Sequence, residues 1–103
     1  MSKIKISRWD TAETLETQED IDLYLKYAFE DGDPRLIAKA LGDAARAQGM
    51  LDISKKTNLS REHLYNSLSE NGNPTLTTLT TIIDTLGYRL SISPKNHENP
   101  VQL

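Results

Sequence analysis

Asn58-Leu59-Ser60-Arg61-Glu62-His63-Leu64-Tyr65-Asn66 is the stretch on which the reading of this chain turns. Ser60 has the hydroxyl that caps a helix start, so a short helix is predicted from Arg61 to about Ser69. On it Leu64 and Leu68 share one side with the preceding Leu59, whereas Arg61, Glu62 and Asn66 are left to face outward. Upstream, Leu51 to Thr57 is predicted as another short helix. Two short helices meeting at a tight turn need a small residue at their crossing, a residue tolerant of the left-handed conformation, and an apolar plug. Ser54, Asn58 and Leu59 supply them in that order.

Working outward, Asn71-Gly72-Asn73-Pro74 is a strong turn signal. Thr75 then caps a helix whose inner face is predicted to be Leu76, Leu79, Ile82, Ile83 and Leu86, with Gly87 as the stop. On the other side, Asp33-Pro34 opens a helix by the favoured cap-plus-proline pattern, and Gly49 closes it. Its predicted buried stripe is Leu36, Ile37, Ala40, Leu41, Ala44 and Ala45. Thr17, with Asp20 in the capping-box position, opens an earlier helix to about Asp31; Ile21, Tyr24, Leu25, Ala28 and Phe29 fall on one face. Lys3-Ile4-Lys5-Ile6-Ser7 and Tyr88-Arg89-Leu90-Ser91-Ile92-Ser93 both alternate polar and apolar residues and are predicted as short strands that pair with each other. The expected fold is therefore all-α: a compact five-helix domain built on a helix-turn-helix, with short terminal strands. Residues 1–16 are expected to be an extended arm, 17–93 the globular unit, and 94–103 a disordered tail.

Composition narrows the function classes. A chain of 103 residues with 37 % hydrophobic content fits one small domain. No apolar run approaches the roughly 18 residues that span a bilayer, and the basic start lacks the apolar stretch of a secretory signal. With no cysteine, disulfides and thiolate metal sites are excluded, in keeping with a cytoplasmic location. His63 and His97 stand in different segments without ligand spacing, there is no glycine-rich phosphate loop, and no catalytic triad context links the serines, histidines and acids. Neither an enzyme nor a bound metal or cofactor is expected.

The net charge of −3 is unevenly spread. Residues 1–33 carry nine acids against four bases, whereas residues 34–103 carry eight bases against six acids. Between 46 and 61, Arg46, Lys55, Lys56 and Arg61 face only Asp52. An acidic arm beside a mildly basic unit suggests two surfaces with two kinds of partner.

The outward residues of the Arg61 helix match base-edge chemistry in a DNA major groove. Arg61 can make a bidentate contact to guanine, Asn66 to adenine, and Glu62 can accept from the cytosine amino group. Ser60, Tyr65, Lys55, Lys56 and Asn71 are candidates for the phosphate backbone, which positions the protein without specifying sequence.

From Leu41 to Ile92 the chain resembles the Xre/Cro repressor-like helix-turn-helix domains, and over residues 8–93 it resembles one branch more closely, the addiction-module antidote proteins. The residues that carry the likeness are Asp22-x-Tyr24-Leu25, Glu30-Asp31-Gly32-Asp33-Pro34, Ala38-x-Ala40-Leu41-Gly42-Asp43-x-Ala45-Arg46-x-x-Gly49-Met50, Leu59-Ser60-Arg61-Glu62-x-Leu64-Tyr65-x-x-Leu68-Ser69, Gly72-Asn73-Pro74 and Leu86-Gly87. The resemblance implies an antitoxin of a type II pair, neutralising a RelE/ParE-superfamily toxin and repressing the shared promoter as a homodimer on double-stranded operator DNA. Its matching DNA-facing positions are Ser60, Arg61, Glu62, Tyr65 and Asn66. Two positions depart from the repressor pattern: Met50-Leu51-Asp52 stands where a phosphate-gripping glutamine is common, and Asn58 stands at the usual turn glycine. Toxin contact is expected in the acidic arm, at Trp9, Asp10, Glu13 and Glu16, with Trp9 as an aromatic anchor. The competing expectations are an interaction module that neutralises a toxin without reading DNA, and a stand-alone repressor.

Overall fold

Alanine and glycine at positions 38, 40, 42, 44 and 45 allow one helix to be approached from every side, and the architecture is built around it. The computed structural model describes residues 14–95. Over these it has five helices: α1 (Gln18–Asp31), α2 (Pro34–Gln48), α3 (Met50–Thr57), α4 (Arg61–Ser67) and α5 (Leu76–Thr85). α2 packs against α1, α3 and α4, and α3 packs in turn on α5. Among the described residues no helix is long and apolar enough to cross a membrane.

The helix starts and stops follow from local chemistry. Thr17 accepts from the Asp20 amide at 3.1 Å while the Asp20 carboxylate accepts from the Thr17 amide at 3.1 Å, a reciprocal box that satisfies two orphan donors. Asp33 caps α2 ahead of Pro34, and Thr75 caps α5 by accepting from the Thr78 amide. α1 ends at Gly32, whose φ of 85° only glycine adopts without strain.

Leu41, Ile53, Leu64 and Ile82 are fully buried and form the centre of the core, with Ile21, Leu25, Met50, Leu68, Ile83 and Leu86 around them. The expected stripe on α2 proves too narrow. Leu36 and Ile37 are only half-buried, whereas residues 41–45 are all buried, Gly42 and Asp43 included. A helix covered all round is what a central position demands. At Gly42 a side chain is impossible without movement, because a Cβ there would lie 2.3 Å from the carbonyl oxygen of Leu68. The end of α4 thus rests on the α2 backbone itself.

Asp43 is 1 % exposed and is surrounded by donors. Its carboxylate accepts from the Tyr24 hydroxyl at 2.6 Å, Lys39 Nζ at 2.9 Å and the Arg46 guanidinium at 2.7 Å. Two of these donors come from α2 and the third from α1, so the cluster ties the two helices together.

Four expectations are corrected. Residues 88–93 form no strand. No other described segment offers a ladder, and Tyr88 turns back instead onto α1, where its hydroxyl donates to Asp22 and accepts from Gln18 Nε2 at 2.7 Å. The segment walls an apolar groove of about 330 Å³ lined by Leu25, Phe29, Leu41, Ile83 and Leu90, and Ile92 beyond it is 98 % exposed. Leu76 is 70 % exposed rather than on the inner face of α5; in that first turn it is Thr78, one helical turn before Ile82, that is buried. α4 stops at Ser67, two residues early, where Leu68 leaves helical geometry (φ −106°, ψ 54°) and Gly72 folds back over the end; a Cβ on Gly72 would meet the Ser67 carbonyl at 2.3 Å. α3 begins one residue early, at Met50. The predicted Lys3–Ser7 strand, and most of the arm and tail, lie outside the described residues.

Two outcomes follow from these contacts. Tyr24→Phe removes one of the three donors to a buried carboxylate and should lower stability by about 1.5–3 kcal/mol, a drop in Tm on the order of 10 °C for a domain of this size. For Tyr88, burial and then the neighbouring Asp22 push the hydroxyl up from 10.0 to about 12. A raised value means that the folded chain holds this proton more tightly. Its stabilising share is complete below pH 10 and disappears as pH rises through about 12. Ultraviolet titration should therefore show one tyrosine ionising late, and Tyr88→Phe should abolish that late step.

Candidate nucleic-acid interface

The turn between α3 and α4 is held by side chains that the chain supplies locally. Asn58 adopts the left-handed conformation with φ 67°, and its amide donates to the Ser54 carbonyl at 2.8 Å. Ser54 Oγ donates to the Leu59 carbonyl at 2.5 Å. Thr57 Oγ1 donates to the Ile53 carbonyl at 2.8 Å and accepts from the Leu59 amide at 3.2 Å. Leu59 is half-buried and packs against the core, as a plug should. Leu59 is the apolar plug that was expected, and Ser54 braces the turn by a hydrogen bond. Thr57 was missed, although a threonine one residue before a left-handed turn is a recognisable bracing signal.

α4 begins at Ser60, whose hydroxyl oxygen accepts from the His63 amide at 3.0 Å. Leu64 is fully buried and Leu68 is 4 % exposed, which fixes the helix rotation. Arg61, Glu62, His63, Tyr65 and Asn66 are consequently all exposed. Glu62 and Asn66, four residues apart, form one outward stripe; Arg61 and Tyr65 form the next, with Tyr65 47 % exposed. The three predicted base-reading residues are thus brought together on one short helix. His63 lies beside Asn66 on the other side of the outward stripe. Asn71 is exposed in the turn that follows.

On α3 the two candidate lysines differ. Lys56 Nζ lies 3.2 Å from the Asp52 carboxylate one turn earlier, whereas Lys55 shares its stripe with the exposed Leu51. Arg46 is bound to Asp43. Of the four cations counted between 46 and 61, Lys55 and Arg61 carry the free field of this face, and the local positive potential is weaker than the sum of charges suggests. Leu51, 54 % exposed where a glutamine is common, offers no donor to a phosphate.

Of the residues expected to meet a toxin, Glu16 is exposed just before α1, and its amide donates to the Asp20 carboxylate at 3.0 Å. Trp9, Asp10 and Glu13 lie outside the described residues.

The turn geometry makes one position diagnostic. Asn58→Ala places a Cβ residue without a compensating polar group in left-handed space and should cost about 1 kcal/mol. Asn58→Gly should leave the melting temperature within a few degrees. Equal losses from both would show that the asparagine side chain, and not its backbone conformation, matters there.

Comparison with known proteins gives this geometry a family. The family model for a probable addiction module antidote protein matches residues 5–94. An uncharacterized protein of Haemophilus influenzae is 38 % identical over 88 residues, covering 85 % of this chain and 91 % of that relative. No solved structure matches the chain.

Proposed function

We propose, on the premise that the chain belongs to the addiction-module antidote family, that it is the antitoxin of a type II pair. In this reading it neutralises a RelE/ParE-type toxin by direct binding and represses its own operon through α3 and α4 acting as a repressor-like helix-turn-helix. It works by binding, not catalysis, in the cytoplasm. The observation that carries the DNA half is the braced turn at Asn58, which presents Arg61, Glu62 and Asn66 together on the exposed side of a helix whose other side is locked by Leu64 and Leu68.

The roles divide by reach. Arg61 and Asn66 have the donor patterns that read guanine and adenine, and Glu62 accepts from cytosine. Lys55, Ser60, Tyr65 and Asn71 border the same face and serve the phosphates, with Lys56 joining once it leaves Asp52. An exposed ion pair of that kind is worth at most about 1 kcal/mol, so a phosphate can compete for the lysine. A homodimer would set two such helices about 34 Å apart, one turn of duplex, on an inverted repeat.

A second reading, neutralisation without DNA recognition, is favoured by the exposed Leu51 and by the engagement of Arg46 and Lys56 with carboxylates. Fluorescence anisotropy on the chain's own promoter decides between them. Specific, salt-sensitive binding is expected, with Arg61→Ala costing roughly 1–3 kcal/mol and relaxing one base position. Lys55→Ala should weaken binding to all duplexes and flatten the salt slope by more than Lys56→Ala does. Equal affinity for scrambled duplex would overturn repression and leave the interaction reading.

A further inference from the structure

α1 carries an apolar pair that its own fold does not use. Ile21, Leu25 and Ala28 are buried against the rest of the molecule, and this rotation turns Leu23 and Tyr27 to solvent at 66 % and 78 % exposure. They stand four residues apart on one stripe, so their side chains lie side by side. Glu19 lies one turn before Leu23, beside Asp20 whose carboxylate caps the helix start, and Glu30 and Asp31 lie one turn after Tyr27, so acidic residues frame the pair at both ends. Over the whole helix five acids face a single base, Lys26.

This frame selects the occupant. Duplex DNA and anionic lipid are repelled by it. A second copy of the same face, laid antiparallel, would bring Glu19 and Asp20 against Glu30 and Asp31 and set like charges opposite each other at both ends. A surface that is basic around an apolar depression meets both features at once: leucine and tyrosine enter the depression, and the cations pair with the frame. We propose that the solvent face of α1, centred on Leu23 and Tyr27, is a docking surface for a basic protein partner, which under the antitoxin reading is the toxin. The proposal rests on that reading for the partner's identity and goes beyond it in placing contact on α1, not only in the segment before it. α1 packs chiefly on α2, so its solvent face is carried by an element other than the α3–α4 pair.

The test uses the full chain with the purified product of the gene directly beside its own. Leu23→Ala combined with Tyr27→Ala removes the pair while favouring the helix, since alanine is the strongest helix former. Calorimetric titration should show affinity for that product falling by about a hundredfold, as expected for truncated interface anchors. Helicity, Tm and promoter binding should stay as in the parent chain. Glu19→Lys with Glu30→Lys should slow association and reduce its salt dependence. Affinity within threefold of the parent's for the double alanine variant would overturn the proposal. So would loss of self-association in that variant, which would make the face a contact between copies. If the unsubstituted chain itself fails to bind the neighbouring product, the antitoxin reading falls and the proposal with it, a result distinct from selective loss in the variants.

Discussion

A carboxylate that is 1 % exposed cannot be left short of donors, and the fold is arranged to meet the demand of Asp43. Taking the group out of water costs several kcal/mol. Three short hydrogen bonds, two from cations, offset that cost. Lys39 and Arg46 reach back along α2 from one turn before and one turn after, and keep about a third of their own surface in water, so their charge is never fully desolvated. The third donor, Tyr24, is the consequential one because it belongs to α1. An apolar residue in place of Asp43 would pack the same helices together, but no directional contact would then fix how α1 is rotated on α2. That rotation decides which residues of α1 reach solvent.

Gly42, the neighbour of Asp43, does for α4 what Asp43 does for α1. The backbone approach of α2 to the Leu68 carbonyl sets where α4 ends and how deeply Leu64 and Leu68 sit. Adjacent residues of one helix thus position two surfaces of different chemistry: an acidic face with exposed apolar residues, and a polar helix bearing arginine and asparagine.

Much of this was legible in the residues themselves. Thr17, Asp33, Ser60 and Thr75 cap the helices they were expected to cap, Gly49 closes α2 and Asn58 takes the left-handed turn as expected, because caps depend on neighbours within four residues. Exposure of Arg61, Glu62 and Asn66 followed from the burial of Leu64, again a local inference. What was not legible depends on distant partners. The alternation in 88–93 signals a strand only where another edge is available, and here Tyr88 finds α1 instead. Leu76 has a spacing that suits the inner face of α5, but the buried position of that first turn is taken by Thr78, a polar residue that an apolar stripe does not reveal. Burial of Asp43 contradicts the usual sense of a charged residue, and only the meeting of α1 with α2 supplies the tyrosine that permits it. The weaker positive field of the reader was a different kind of miss. Asp43 with Arg46 and Asp52 with Lys56 have spacings that pair on a helix, but a summed charge does not register pairing.

The same rigidity bears on how two binding events would communicate. Coupling between sites requires an element with two arrangements that each ligand favours differently. α2 is buried along residues 41–45, anchored through Asp43 to one surface and through Gly42 to the other, and closely packed helices resist continuous deformation. A partner docked on α1 therefore has little within a single chain through which to alter the helix from Arg61 to Ser67. Occupancy of both surfaces would be independent in the monomer. Dependence of repression on the amount of partner, as an autoregulated module requires, would then arise between chains. It would come from how a second copy is placed, how many partners share one operator, and whether bulk on the α1 face obstructs a neighbour on the duplex. In such a system the control element would be the geometry of the assembly, with α2 as the helix that joins α1 to α3 and α4 within each chain.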